Sequence, residues 1–206
     1  MPRLEPFLAA GTLCRSEQPA LDGGTARLRP WRDDDVPTVI AAFTDPQIAF
    51  WHHRRIDDAT EAREWIAQQH QGWRDESTAC WAVCDAEADV VMGRVAVHVN
   101  LVDGVGVLGY WTLPGSRGRG SAPASVRIVT AWAFEDVGLA RLELGHSTRN
   151  TGSCRVAEKV GYLAEGTLRS MFHHADGRHD VHLHAAVNGR PQAGHGGPGL
   201  SGTLAP

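Results

Sequence analysis

A glycine-rich segment between a strand-like run and a helix-like run constrains this chain most. The segment reads Pro-Gly-Ser-Arg-Gly-Arg-Gly-Ser-Ala-Pro over residues 114–123. Its glycines let the backbone approach a ligand closely, and the helix N-terminus that follows concentrates unpaired amides and positive dipole. Arg117 and Arg119 add charge suited to a phosphorylated partner. The segment predicts an anion-binding loop; the alternative is a plain glycine turn with solvent-exposed arginines.

Two nucleotide-binding patterns fit this loop poorly. The spacing of Gly115 and Gly120 resembles a P-loop, but Ser121 stands where that motif requires lysine. A dinucleotide-binding fingerprint would need glycine or alanine at the position of Pro123, together with an early βαβ unit. Nucleotide hydrolysis and dinucleotide binding are therefore disfavoured.

The apolar periodicity along the chain predicts a mixed α/β (α+β) domain with helices on both faces of the sheet. Residues 1–24 are expected to be an irregular lead-in and the Gly/Pro-rich residues 189–206 a disordered tail, which leaves 25–188 as the folded domain. The expected elements are a strand at 26–31, helices at about 33–43 and 58–71, strands at 79–85, 90–101 and 106–113, a helix at 123–136, a strand at 141–147, a helix at 151–160, and strands at 163–172 and 179–187.

Composition limits the classes of partner. The formal net charge is −4, so no bulk positive field recruits nucleic acid or anionic lipid. No apolar run approaches the ~20 residues of a membrane-spanning helix. The first residues lack the basic, apolar and small-residue order of a signal peptide. We therefore expect a cytoplasmic protein without a nucleic-acid or membrane partner.

Cysteines and histidines raise the question of a metal site. Cys80 and Cys84 lie in a strand-like run, too far apart along the strand to form a metal pair, and are interpreted as core residues. Residues 173–184 hold five histidines but no metal-binding motif such as H-E-x-x-H. Strand alternation explains His182 and His184. No metal site is predicted.

Several motifs together resemble the RimJ/RimL-like branch of the GNAT superfamily of N-acetyltransferases. Arg117-x-x-Gly120-x-Ala122 matches the acetyl-CoA loop of that superfamily, [Q/R]-x-x-G-x-[G/A]. The resemblance covers about residues 26–187 and implies a GNAT fold, a mixed sheet of about seven strands whose fourth and fifth strands splay apart. The supporting motifs are Leu28-Arg29-Pro30-Trp31, Asp45-Pro46, Gly109-Tyr110-Trp111, Asn150-x-x-Ser153, Glu158-Lys159-Val160-Gly161-Tyr162 and Glu165-Gly166-Thr167-Leu168-Arg169.

The resemblance also implies where acetyl-CoA binds. Pantetheine would lie between the strands at 106–113 and 141–147, and amides near Leu108 to Trp111 would receive the thioester oxygen. Asn150 and Ser153 would contact the cofactor, although both could simply begin a helix. The implied cofactor-binding residues are Leu108, Tyr110, Trp111, Arg117, Gly118, Arg119, Gly120, Ser121, Ala122, Asn150 and Ser153.

The resemblance implies transfer of an acetyl group from acetyl-CoA to a primary amine by direct attack, without a metal. Many relatives use a tyrosine as acid where this chain has Ala157, so Ser153 is the candidate donor toward sulfur. Relatives often carry glutamate where Val107 stands. His146 is the candidate base because its intrinsic pKa is near 6.5.

Other assignments stay open on sequence alone. His98 and Glu143 are weaker candidates for the base, and a chain of water molecules could replace a protein base. Trp51 is a candidate wall of the acceptor pocket, but large aromatic residues are as often core. The acceptor could be a protein N-terminus or a small molecule, and the resemblance makes a homodimer an option. The rival function is a non-catalytic acyl-CoA-binding or sensing module.

Overall fold

An eight-stranded mixed sheet organises the protein in a computed structural model that describes residues 5–52 and 54–189. The strand order is β1-β2-β3-β4-β5-β6-β8-β7, and among the described strands β5 and β6 form the one parallel pair. This confirms the predicted fold class. The strands are β1 (Leu21–Gly23), β2 (Ala26–Arg29), β3 (Thr78–Asp85), β4 (Val91–Asn100), β5 (Val105–Thr112), β6 (Arg141–Ser147), β7 (Leu163–His174) and β8 (Gly177–Val187).

Five α-helices accompany the sheet within the described residues. They are α1 (Val36–Thr44), α2 (Pro46–His52), α3 (Ala59–Arg74), α4 (Ser121–Trp132) and α5 (Thr151–Val160). Short 3₁₀ turns at Asp33–Asp35 and Pro114–Ser116 precede α1 and α4, and a π turn at Ala133–Val137 extends α4. None of these described helices combines the length and apolar character needed to cross a bilayer.

The two faces of the sheet bury two separate apolar clusters. Along β3 the side chains alternate, so Trp81 packs with α4 while Cys80 and Cys84 pack with α1 and α3. Both cysteines are fully buried, which confirms their interpretation as core residues. Helices α4 and α5 therefore lie on the face opposite α1 and α3.

The residues before β2 differ from the sequence-based expectation. The prediction of an irregular lead-in over residues 1–24 is wrong for Leu21–Gly23, which pair with β2 as an extra strand. Leu13 is buried in the core. The indole nitrogens of Trp73 and Trp81 donate to the carbonyls of Ser16 and Pro19. The predicted tail, beyond Gly189, lies outside the described residues.

Asp45 and Pro46 do more than stop the first helix. Proline cannot continue α1, but it is well suited to the first turn of a helix, and α2 begins at Pro46. The Asp45 carboxylate accepts the amide of Ile48 at 2.9 Å and so stabilises that start. The end of the helix predicted at about residues 33–43 is therefore followed at once by an additional helix, one that reaches the functional site.

The inner edges of β5 and β6 part after a short paired stretch. Their pairs run from Val105 opposite Arg141 to Val107 opposite Glu143 and then end. Gly106 lies in the middle of this stretch, where a Cβ would come within 2.6 Å of the Leu142 side chain. The sheet thus contains a V-shaped gap, as the predicted splayed strands require.

A buried ion pair links β2 to the turn that leads into α1. The Arg29 guanidinium donates to both carboxylate oxygens of Asp35, at 2.7 and 2.9 Å, and to Asp89 at 3.1 Å. The Arg29 and Asp35 side chains are 5% and 7% exposed. The hydrogen bond with Asp35 raises the pKa of Arg29 above its usual value, so this cation stays charged.

Asp35→Asn should lower the free energy of unfolding by about 3 kcal/mol. We expect the low end of the range for a broken buried pair because Asp89 still contacts Arg29. Urea unfolding measures the change. Asp34→Asn, at an exposed neighbouring position, should change stability by no more than about 0.5 kcal/mol, and equal effects of the two variants would contradict the prediction.

Candidate active site

A cleft of about 380 Å³ lies beside the end of β5, and we call it the main cleft. The loop before α4, the start of α5, helix α2 and the end of β5 supply its walls. Its lining residues are Gln47, Ile48, Trp51, His52, Tyr110, Trp111, Thr112, Ser116, Arg117, Gly118, Gly120, Ser121, Ala122, Pro123, Asn150, Gly152, Ser153, Arg155, Val156 and Lys159.

The loop before α4 has the geometry of an anion-binding site. Gly118 and Gly120 adopt left-handed φ angles of 76° and 83°, which side chains other than glycine rarely tolerate. The first intrahelical hydrogen bond of α4 ends on the carbonyl of Gly120. The amides of Ser121 and Ala122 therefore have no acceptor within the helix, and both residues line the main cleft at the positive end of the helix dipole.

The Arg117 amide is not one of the free amides of this loop, because it closes a turn on the Pro114 carbonyl. The Arg117 guanidinium contacts the Asp45 carboxylate at 2.5 Å and the Thr112 carbonyl at 3.2 Å. Burial would raise the pKa of Asp45, but the hydrogen bond from Arg117 holds it below its usual range.

The positive charge around the main cleft comes partly from residues that sequence reasoning missed. Arg155 and Lys159 line the cleft from successive turns of α5, where they read as ordinary exposed helix residues in the sequence. Arg119, predicted as a cofactor contact, is exposed and is not among the lining residues. Helix α5 thus supplies two of the cations at this cleft.

Backbone directions along β5 decide which amides face the gap. The Leu113 amide donates to a β4 carbonyl, and alternation turns the Trp111 amide toward β4 as well. The Leu108 amide faces β6, but it lies at the last pair of residues in the β5–β6 ladder, where Val107 pairs with Glu143. Tyr110 is the first residue beyond that last pair whose amide is directed into the gap. Of the predicted amides from Leu108 to Trp111, this one is best placed for a ligand.

Two hydroxyl groups meet beside the gap. The Tyr110 hydroxyl donates to Ser153 Oγ at 3.0 Å. Burial raises the pKa of Tyr110 to about 12, so the phenol remains a proton donor at neutral pH. Asn150 caps α5, because its side-chain oxygen accepts the Ser153 amide at 3.1 Å. Ser153 is therefore held at the helix start with its own hydroxyl proton available to a ligand.

A smaller cleft of about 90 Å³ lies between β5 and β6 and shares Tyr110 with the main cleft, and we call it the small cleft. Trp51 lines both clefts, with its ring packed against Phe50 and His174. The role of Trp51 as a wall of the acceptor pocket stays a prediction. The small cleft is lined by Trp51, His52, Leu108, Gly109, Tyr110, Leu144, Gly145, His146, Ser147, Asn150, Ser153, Phe172 and His174.

His146 borders the small cleft but is 4% exposed. Its Nδ1 lies 2.9 Å from the Ser147 carbonyl, and its ring stacks on that of His184. Burial lowers the pKa of His146, so the imidazole is neutral at pH 7. Its role as base stays a prediction. The weaker candidates, His98 and Glu143, line neither cleft.

A hydrogen-bonded chain that sequence reasoning missed ends at the small cleft. Ser147 Oγ lies 2.7 Å from His179 Nδ1, and His179 Nε2 lies 2.8 Å from an Asp176 oxygen. Because a carboxylate only accepts, Nε2 carries a proton, and the Ser147 hydroxyl donates to Nδ1 whenever the ring is neutral. No local motif could reveal this chain, since Ser147 and His179 are far apart in sequence.

Comparison with known proteins gives a consistent result. A family profile described as an acetyltransferase (GNAT) domain matches residues 26–163. A probable N-acetyltransferase of Bacillus subtilis (strain 168), YjcK, is 29% identical over 157 residues, which are 72% of this chain and 86% of that protein.

Solved structures share the fold. Mycobacterium smegmatis RimJ, in complex with CoA-disulfide, has a TM-score of 0.75 at 19% identity over 83% of this chain and 88% of its own. The ribosomal-protein-S5-alanine acetyltransferase of Vibrio fischeri has a TM-score of 0.74 at 18% identity over 84% of this chain and 100% of its own. With the family profile spanning most of the chain and the splayed strands and anion-binding loop in place, this protein belongs to the GNAT family of acetyltransferases.

Proposed function

We propose that this acetyltransferase transfers the acetyl group of acetyl-CoA to a primary amine by direct attack within a ternary complex. The observation that carries the proposal is the Tyr110 amide, which faces the gap between β5 and β6 next to the anion-binding loop. The main and small clefts meet at this point, so thioester and amine can lie side by side. Holding two reactants together in this way supplies much of the rate gain in such reactions.

The cofactor would bind along the gap and the loop. Its pyrophosphate accepts from the amides of Ser121 and Ala122, where the positive φ angles of Gly118 and Gly120 shape the cradle. Arg155 and Lys159 neutralise its phosphates. Pantetheine follows the unpaired edge of β5 in the manner of an added strand.

The thioester oxygen would accept a hydrogen bond from the Tyr110 amide. This donor is fixed by the ladder between β4 and β5, so little reorganisation is needed when charge develops on the oxygen. The Tyr110 carbonyl is already bonded to His52 Nε2 at 3.1 Å, which further holds this stretch of β5 in place.

The departing thiolate would take a proton from Ser153. The phenol of Tyr110 donates to Ser153 Oγ and leaves the serine proton free to point at sulfur. When that proton moves to the thiolate, the Tyr110 proton can follow it to Ser153. Tyr110 thus acts as the proton donor to Ser153, although the position that many relatives use for an acid tyrosine holds Ala157.

The amine proton would leave through Ser147, His179 and Asp176. The ammonium donates to Ser147 Oγ, the serine passes its own proton to His179 Nδ1, and Asp176 stabilises the resulting imidazolium. We favour this route over His146, whose Nδ1 is bonded to the Ser147 carbonyl while its ring packs against other imidazoles.

The size of the small cleft limits which kinds of acceptor can bind. About 90 Å³ holds the tip of an acceptor, so the rest of the molecule must extend past Trp51. A protein N-terminus fits this description, as does a small amine. The named activities of the structural neighbours, on ribosomal proteins, favour the first. The cytoplasmic location and the homodimer stay predictions.

Gly120→Ala should weaken acetyl-CoA binding. The new Cβ must adopt φ near 83°, which costs about 1 kcal/mol or more and shifts the cradle. In thermal unfolding, acetyl-CoA at about 100 times its Kd should raise the wild-type Tm by several degrees, and the variant much less. Gly138→Ala, at a φ of 84° in a residue that lines neither cleft, is the matched control for backbone strain. Equal loss of ligand stabilisation in both variants would contradict the assigned loop.

Ser153→Ala should lower kcat about 10²-fold if serine protonates the thiolate. Tyr110→Phe removes one hydrogen bond of about 1 kcal/mol and should cost about fivefold. Release of free thiol from acetyl-CoA, measured over a panel of primary amines and N-terminal peptides, gives both rates. Acetyl-CoA binding without turnover of any amine by the wild type would favour the rival, a non-catalytic binding module.

His179→Gln should lower kcat about 10²-fold at neutral pH with little change in acetyl-CoA binding, because it interrupts the route for the amine proton. The same thiol-release assay measures it, with His173→Gln at an exposed position as control. Full activity of His179→Gln together with loss of activity in His146→Gln would refute this route and restore His146 as the base.

A further inference from the structure

Three imidazoles and a thiol converge beneath α5, outside the route proposed for acetyl transfer. His146 on β6 lies directly opposite His182 on β8, and His184 follows on the same face of that strand. Cys154 reaches the group from α5. The ligand atoms of these four residues all lie within 4.8 Å of one another. We call the four residues the histidine–cysteine cluster.

The cluster contains buried nitrogens without hydrogen-bond partners. Within the described residues, Nε2 of His146 and both ring nitrogens of His184 are buried and unbonded. The two residues are 4% and 3% exposed. Most buried polar atoms in proteins are hydrogen-bonded, and leaving one unpaired is costly. The lone pair of His146 Nε2 and the one lone pair of a neutral His184 ring are therefore both available to a metal ion.

The tautomer of His146 fits a metal ligand. Its Nδ1 lies 2.9 Å from the carbonyl oxygen of Ser147, and a carbonyl only accepts. Nδ1 therefore carries the proton, and Nε2 presents a lone pair to the cluster. Histidines that bind metals usually donate their other ring nitrogen to a carbonyl or carboxylate in this way, which fixes the ring orientation.

We propose that the histidine–cysteine cluster binds a transition-metal ion, best matched by Zn²⁺, through one ring nitrogen each of three histidines and the sulfur of Cys154. Nitrogen and thiolate donors suit zinc and disfavour magnesium or calcium. Tetrahedral zinc with bonds of about 2.0–2.3 Å places its donors about 3.3–3.8 Å apart. The widest pair must close by about 1 Å, and the partly buried His182 and Cys154 have room to move.

Binding of the metal ion to the histidine–cysteine cluster would release one proton. The Cys154 thiol lies 3.5 Å from a Glu158 oxygen, and burial together with this carboxylate raises the pKa of the thiol. The metal takes the place of that proton on sulfur, while the histidines bind as neutral imidazoles. Four protein ligands leave no open position, so the site is structural. It fastens α5 to β6 and β8 and thereby holds Ser153, the neighbour of Cys154.

Cobalt provides a direct spectroscopic test. Protein without an affinity tag is stripped with a chelator, dialysed, and titrated with Co²⁺ in the absence of acetyl-CoA. We expect saturation at about one ion per chain, the intense visible bands of tetrahedral cobalt, a thiolate-to-cobalt charge-transfer band in the near ultraviolet, and displacement by Zn²⁺. Zinc should also raise the Tm by several degrees. Absence of saturable binding, or a weak octahedral spectrum, would overturn the proposal.

Variants locate the site. Cys154→Ser should abolish the charge-transfer band, and His184→Ala should lower metal affinity at least tenfold. His182→Gln, at a partly buried position, serves if His184→Ala does not fold. Cys14→Ser and His173→Ala change exposed residues of the same types and should bind cobalt as the wild type does. Unaltered spectra in all the cluster variants would refute this location. Because no step uses acetyl-CoA, these outcomes are independent of the proposed function.

Discussion

The parting of β5 from β6 is the constraint on which the rest of the site depends. Each strand is held on its outer edge, β5 by β4 along its whole length and β6 by β8 from Arg141 to Ser147. The inner edges can therefore separate without loss of the strands. Gly106 lets side chains pack closely within the short paired stretch, and beyond Val107 backbone amides of β5 face the gap. The anion-binding loop, α2 and the start of α5 are all arranged around this gap.

Helix α5 supplies residues to several parts of the site because its faces point in different directions. Its cap, Asn150, fixes Ser153 beside Tyr110, and two later turns bring Arg155 and Lys159 to the main cleft. The face toward the sheet carries Cys154 into the histidine–cysteine cluster. A shift of this one helix would disturb the thiolate donor, the phosphate contacts and the cluster together, so anything that fixes α5 also fixes the cofactor side of the site.

Structural features that depend on neighbouring residues could be predicted from the sequence. Glycines with positive φ, alternation along β3 and helix starts are set by neighbouring residues, so the loop, the two-faced core and most elements could be predicted. Contacts between distant residues could not. Alternation placed His182 and His184 on one face, but not beside His146 and Cys154. The Ser147–His179–Asp176 chain, and the amide directions that single out Tyr110, likewise require the three-dimensional pairing of strands.

The segment before β2 shows that the part of the chain that identifies the family is smaller than the part that folds. The family match begins at residue 26, yet Trp73 and Trp81 hydrogen-bond to Ser16 and Pro19, and Glu76 accepts the amides of residues 11 and 13. The match also ends at residue 163, so it leaves out β8, the strand that pairs with β6. A fragment cut at those limits would keep the acetyl-CoA loop but expose core residues, so domain limits drawn from sequence similarity understate the part of this protein that packs together.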